Sequence, residues 1–191
     1  MNRRKKRTLI LLLIVILFIS VGYALLSATL NIQGVSDITA SRWDIHWDTA
    51  SYTKSSGSVD ILNPSRTANS SPILTDTDIS FGTKLEKPGD YAQFTVNVVN
   101  DGTFDAELTA ITISPALTPA QQKYLEYTVT YAGVEYHTST SGLRVALPAS
   151  TSNTAVVKIR VQYIQPSNAE DLPSTDTTFS STVSFDYAQA Y

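Results

Sequence analysis

Apolar and polar side chains alternate with a period of two along much of this chain, and that alternation restricts the fold more than any other feature. Trp43, Ile45 and Trp47 alternate with Asp44, His46 and Asp48, and Phe94, Val96 and Val98 with Thr95 and Asn97. Leu125, Tyr127, Val129 and Tyr131 alternate with Glu126, Thr128 and Thr130. Val157, Ile159, Val161 and Tyr163 alternate with Lys158, Arg160 and Gln162, and Val183, Phe185 and Tyr187 with Ser184 and Asp186. A strand turns successive side chains to opposite faces, so each run offers one face to a core and one to water. Ser and Thr dominate the polar residues, and β-branched and aromatic residues are plentiful, a composition of strands rather than helices. About eight such strands separated by turn residues predict an all-β fold, two antiparallel sheets packed as a sandwich. Jelly-roll and immunoglobulin-like topologies both accommodate that count.

Local signals refine this expectation. Asn100-Asp101-Gly102 lies between two strand patterns, and Asp-Gly supplies the positive φ values of a tight hairpin turn, so a hairpin is predicted there. Its second arm changes parity, with Ala106 and Leu108 at even positions and Ile111 and Ile113 at odd ones. A bulge near Thr109 or Ala110 would return both pairs to the core. One short helix is expected from Thr118-Pro119-Ala120-Gln121, which sets a capping hydroxyl before a Pro and a Gln, and it should end near Leu125. Residues 49–72 and 165–178 lack sustained periodicity and read as loops, the first with a weak edge hairpin through Val59 to Leu62.

The N-terminus carries a different pattern. Arg3, Arg4, Lys5, Lys6 and Arg7 precede residues 9–19, which contain no polar side chain. This is the basic n-region and apolar h-region of a secretory signal, and basic residues stay on the cytoplasmic side, so the rest of the chain is directed outward. Gly22 and Ala24 occupy the small-residue positions of a signal-peptidase site, which places cleavage after Ala24. The alternative is an uncleaved hydrophobic anchor helix, because apolar character resumes at Leu25, Leu26, Ala28 and Leu30 and so approaches the roughly 20 residues that span a bilayer. The chain thus divides into a signal peptide or membrane anchor (1–24), an N-terminal segment (25–38) and a sandwich domain (39–191). Residues 1–24 hold five of the 14 Lys and Arg and none of the 17 Asp and Glu, so the remainder carries a net charge of −8. That balance argues against a nucleic-acid partner, which requires clustered positive charge. There is no cysteine, so the exported domain holds together without disulfides.

Candidate chemistry is sparse. Asp44, His46 and Asp48 share one face of one strand as an O, N, O set, the one constellation that suggests a metal; a polar strand face turned to water is the simpler account of it. His46 and His137 are the only histidines, and neither an H-E-x-x-H nor a G-x-S-x-G motif is present. Asp76 and Asp78, or Asp101, Asp105 and Glu107, do not follow the calcium-loop pattern. Leu172-Pro173-Ser174-Thr175-Asp176 touches the wall-sorting signal but lacks its apolar span and basic tail. No catalytic residue and no cofactor are predicted.

The order of features is more specific than any one of them. Gly22-Tyr23-Ala24 leads through Ser27, Leu30, Ile32 and Gly34 to Trp43-Asp44-Ile45-His46, and Pro88-Gly89-Asp90 precedes a strand ending in Val99-Asn100-Asp101-Gly102, with Asp105-Ala106 beyond. This resembles exported surface proteins of Gram-positive bacteria with SipW-dependent-type signal peptides, a group that includes the biofilm matrix protein TasA and camelysin. The resemblance implies a jelly-roll-like sandwich, release by a dedicated signal peptidase and a place in surface fibres or extracellular matrix. It also implies self-association in which the N-terminal strand of one subunit completes a sheet of the next. The matching donor is the stretch 26–38, where Leu30 and Ile32 alternate with Asn31 and Gln33. Two alternatives stand beside it: a membrane-tethered extracellular binding module using the two long loops, and a metal-dependent peptidase of camelysin type using His46. Intact-mass measurement of the protein recovered from cells is expected to give a chain starting at Leu25; a chain starting at Met1 would establish the anchor instead.

Overall fold

The computed structural model describes residues 7, 12–18, 40–54, 57–173 and 179–191, except for the side chains of residues 151 and 152. It forms two units, Met1–Thr39 and Ala40–Tyr191. In the first, residues 12–18 are helical and exposed. Among the described residues no helix is long and apolar enough to cross a membrane. The predicted cleavage position Ala24 and the segment 25–38, with Leu30 and Ile32, lie outside the described residues.

The second unit is built from β1 (Ile45–Lys54), β2 (Ile61–Leu62), β3 (Ile73–Thr75), β4 (Asp78–Thr83), β5 (Tyr91–Asn100), β6 (Ala106–Ser114), β7 (Leu125–Tyr131), β8 (Val134–Tyr136), β9 (Thr140–Leu147), β10 (Ser150–Tyr163) and β11 (Phe179–Gln189). One sheet has the order β1-β5-β10-β7-β8 and the other β2-β4-β11-β6-β9, with β3 also on β4. Every pairing is antiparallel. β4 pairs with β11, β5 with β10, β6 with β9 and β7 with β8, and β7–β10 and β6–β11 complete the two sheets.

The alternating runs line the space between the sheets. Phe94, Val96 and Val98 of β5, Val157, Ile159 and Val161 of β10, and Val183 and Phe185 of β11 are fully buried. Phe81 bridges the layers, with its ring 5.8 Å from Phe94 and 6.1 Å from Tyr127. Trp47 meets Phe185 edge-on at 5.3 Å. Trp43 departs from its predicted place: it precedes β1 and is 48% exposed, so the buried face of that run begins at Ile45.

The bulge falls where parity required it. Ala110 pairs with Asp186 and Leu108 with Tyr187, which leaves Thr109 unpaired on β6, and its hydroxyl donates to the Asp186 carbonyl at 3.0 Å. The Asn100-Asp101-Gly102 hairpin is not found. β5 and β6 belong to different sheets, so these residues turn a corner between the layers, and Gly102 is not among the positive-φ glycines. A tight hairpin turn forms instead at Ala132-Gly133, between β7 and β8, with φ of 48° and 86°, the combination of a type I′ turn. The predicted helix is a single 3₁₀ turn, Gln121–Lys123. Its capping box forms, with the Gln121 amide donating to Thr118 Oγ1 (3.2 Å) and the Thr118 amide to Gln121 Oε1 (2.9 Å). The sheet takes the next residues: Ile164 donates to the Tyr124 carbonyl, and Leu125 pairs with Tyr163.

The stretch expected to loop from residue 49 carries β1 onward to Lys54. Ser51 sustains the strand through its irregularity, its hydroxyl donating to the Asp48 carbonyl (2.6 Å) and accepting from the Asn97 amide (2.8 Å). Residues 165–173 hold one 3₁₀ turn, Ala169–Asp171, tied to Lys123 by an ion pair.

The turn before β5 rests on a buried carboxylate. Asp90 accepts from the amides of Glu86 (2.9 Å) and Lys87 (3.1 Å) and from Ser58 Oγ (3.3 Å). Burial acts to raise its pKa, but those donors and the Lys87 charge outweigh it and hold the carboxyl below its ordinary range. A lowered pKa stabilises the fold above the ordinary carboxylate range, and that contribution is lost as pH falls through the folded value. Asp90→Asn should therefore cost about 2 kcal/mol in urea unfolding at neutral pH. The gap from wild type should narrow below about pH 4; an equal gap at both pH values would contradict the assignment.

Candidate functional site

The predicted metal set is divided by the structure. His46 Nδ1 lies 2.9 Å from Asp44 Oδ1, and His46 Nε2 lies 4.0 Å from Asp101 Oδ2. Arg42 completes the cluster, 3.3 Å from the other Asp44 oxygen. Asp48 takes part in a different interaction, accepting from the Ala50 amide at 3.1 Å where β1 becomes irregular. Among the described residues no group of three or more His, Asp or Glu side chains is arranged to hold a metal ion. Sequence periodicity grouped Asp44 with Asp48; the corner between the sheets supplies Asp101 instead, a contact across 55 or more residues that no local pattern encodes.

Around this cluster the chain is fastened to the inter-sheet corner. The Asp101 amide donates to the Asp44 carbonyl (2.9 Å) and the Thr103 amide to the Arg42 carbonyl (2.8 Å). The Arg42 amide returns a bond to Thr103 Oγ1 (2.9 Å), and its guanidinium donates to the Asp101 carbonyl (2.6 Å). The buried Asn100 side chain shapes the corner, donating to the carbonyls of Phe104 and Leu147 (2.9 Å each) and accepting from the Gly102 amide (3.1 Å). Gly102 permits the approach, since a Cβ there would sit 2.7 Å from the Arg42 carbonyl oxygen.

A second feature lies at the far end of the sandwich. β8 pairs with residues 129–131 of β7 and no further, so, among the described residues, 125–128 have β10 on one side and no strand on the other. Alternate residues of a strand point their N–H and C=O to the same side. The Tyr127 carbonyl faces the open side, where it meets the His137 ring at 3.3 Å, so Leu125 and Tyr127 both present backbone groups there. The facing sheet is cut short at the same level: β9 pairs with β6 up to Ile111. Beyond that, the Ile113 amide donates to Ser139 Oγ at 2.9 Å. Between these two ends lies a groove of about 480 Å³, floored by Ile113, Leu117, Leu125, Tyr127 and Ile164. Sequence periodicity identified β7 but gave no sign that its first half lacks a partner.

No family model and no curated protein matches this chain.

Gly102→Ala should push residues 42–44 off the corner, with faster hydrogen exchange at the Asp101 and Thr103 amides and a loss of roughly 1–3 kcal/mol in stability. Unchanged exchange at those two amides would show that the close approach is not what holds the segment.

Proposed function

We propose that this chain is an exported, non-enzymatic surface or matrix protein that self-associates by β-strand addition. The observation that carries this reading is the open edge of β7, where backbone donors and acceptors lie beside an apolar groove. Strand addition needs those two elements: main-chain groups for affinity and apolar recesses for alternate side chains. The segment 25–38 supplies the complementary pattern, with Leu30 and Ile32 as the apolar teeth. The basic and apolar residues 3–19 support export, and release after Ala24 by a signal peptidase would free that segment.

The strand pairing supports a jelly-roll reading over an immunoglobulin-like one. Pairs β4–β11, β5–β10, β6–β9 and β7–β8 follow the folded-hairpin order of a jelly roll, with four strands of the roll in each sheet. β1, β2 and β3 then extend the two sheets at one side.

A binding module tethered by an uncleaved N-terminus is the second reading, and the groove itself favours it, since a recess of that size also admits a small apolar ligand. The two separate in solution. Purified chain beginning at Leu25 is expected to form filaments visible by electron microscopy above a threshold concentration, and Leu30→Asp with Ile32→Asp to abolish them. A wild-type chain that stays monomeric at every concentration, by light scattering and microscopy, would end the assembly reading.

A further inference from the structure

An unprotected strand edge is a hazard that folded proteins manage, with bulges, charges, short strands or covering groups. The other long edges here carry such protection. β1 is irregular between Asp48 and Thr53. On β9, residues 142–144 stand opposite the single residue Thr109, with Gly142 left-handed (φ 74°) and Arg144 exposed. The first half of β7 is regular along its pairing with β10, and its protection comes from side chains. His137 Nδ1 lies 3.3 Å from the Tyr127 carbonyl, to which it donates in the tautomer that carries its proton there, and 3.4 Å from Thr128 Oγ1. Two residues on, Ser139 Oγ accepts from the Ile113 amide at 2.9 Å and lies 3.4 Å from the Ile113 carbonyl.

We infer that the connection between β8 and β9 is a removable cap on the acceptor edge: His137 fills, with its side chain, a hydrogen-bonding place that a strand from a second copy takes along β7, and Ser139 holds the connection over the groove by its bond to Ile113 of β6. This rests on the strand-addition reading above. His137 and Ser139 are both exposed, and three of their four contacts lie at or beyond the long end of hydrogen-bond distances. An incoming backbone amide at ordinary distance therefore replaces His137 at the Tyr127 carbonyl with gain. The strand that enters sets alternate apolar side chains over Ile113, Leu117 and Leu125, and its remaining side chains face outward with Glu126.

The occupant is a second copy because of where the chain enters the sandwich. Ala40 leads into β1 at one edge of the five-stranded sheet and at its Asn100 end, whereas the open stretch of β7 lies at the opposite end and three strand spacings across the sheet, on the far side of β5 and β10, about 14 Å in that direction alone. A segment arriving from beyond β1 reaches the β7 edge of its own domain only by crossing a sheet face. Offered to a neighbour, it makes a head-to-tail contact, which builds a filament when its rotation does not close into a ring.

The test is seeded elongation of the chain beginning at Leu25, followed by light scattering. Wild type is compared with His137→Ala/Ser139→Ala, with His137→Gln, which keeps a donor, and with Leu117→Glu, which puts a charge in the groove. Thermal melting of each monomer by circular dichroism checks the fold. The double variant should elongate roughly fivefold faster, as expected when a side-chain hydrogen bond no longer has to be displaced. His137→Gln should stay near wild type, and Leu117→Glu should fail to elongate while remaining folded. A folded double variant that elongates at the wild-type rate or slower overturns the cap and leaves strand addition standing. A folded Leu117→Glu that elongates normally places the acceptor elsewhere and also overturns it. Failure of wild type to elongate from seeds overturns strand addition and the cap together.

Discussion

Backbone hydrogen bonding at sheet edges is the constraint on which this structure turns. Packing two sheets face to face satisfies the apolar side chains, as the burial of Phe81, Phe94, Phe185 and Ile159 makes plain. It does nothing for the N–H and C=O groups along the outermost strands, which must find water, side chains or another strand. The pairing of β4 to β11 gives each strand a partner on at least one side, but it leaves β8 three residues long against a β7 of seven. The open stretch of β7 is the direct result of that mismatch.

Side chains repeatedly stand in for missing backbone partners. Ser51 bridges the irregular part of β1 to Asn97. Asn100 holds the corner between the sheets with three bonds to main chain. Asp90 gathers two amides of the turn before β5. Where the partner is buried, as for Asn100 and Asp90, such a substitution is structural, because an unmet group there carries the full desolvation cost. Where the side chain that stands in is itself exposed, as for His137 and Ser139, water competes for it and the arrangement is exchangeable. That difference separates the residues that hold the fold from those we assign to assembly.

The features legible in the sequence were those encoded within one strand. Alternation identified the buried faces of β5, β7, β10 and β11, and the parity change from Leu108 to Ile111 located the bulge at Thr109. The capping box at Thr118 formed, though strand pairing cut its helix to one turn. Features that depend on which strand meets which were not legible. Asn100-Asp101-Gly102 has the composition of a hairpin, yet burial of both arms in opposite sheets makes it a corner, while a type I′ turn forms at Ala132-Gly133. Trp43 continued an apolar run in sequence but sits ahead of the strand that would have buried it. Asp101 joined Asp44 and His46 across the corner for the same reason, and the groove at β7 arises from the length of β8, which no single segment reveals.

Hydrogen exchange measured on the monomer and on assembled filaments of the chain beginning at Leu25 tests the central claim most directly. The amides of Leu125 and Tyr127 face the open side of β7, so they should exchange readily in the monomer and become protected on assembly, while those of residues 129–131, already beside β8, should change little. Protection gained along β1 or β9 with Leu125 and Tyr127 unchanged would contradict the account.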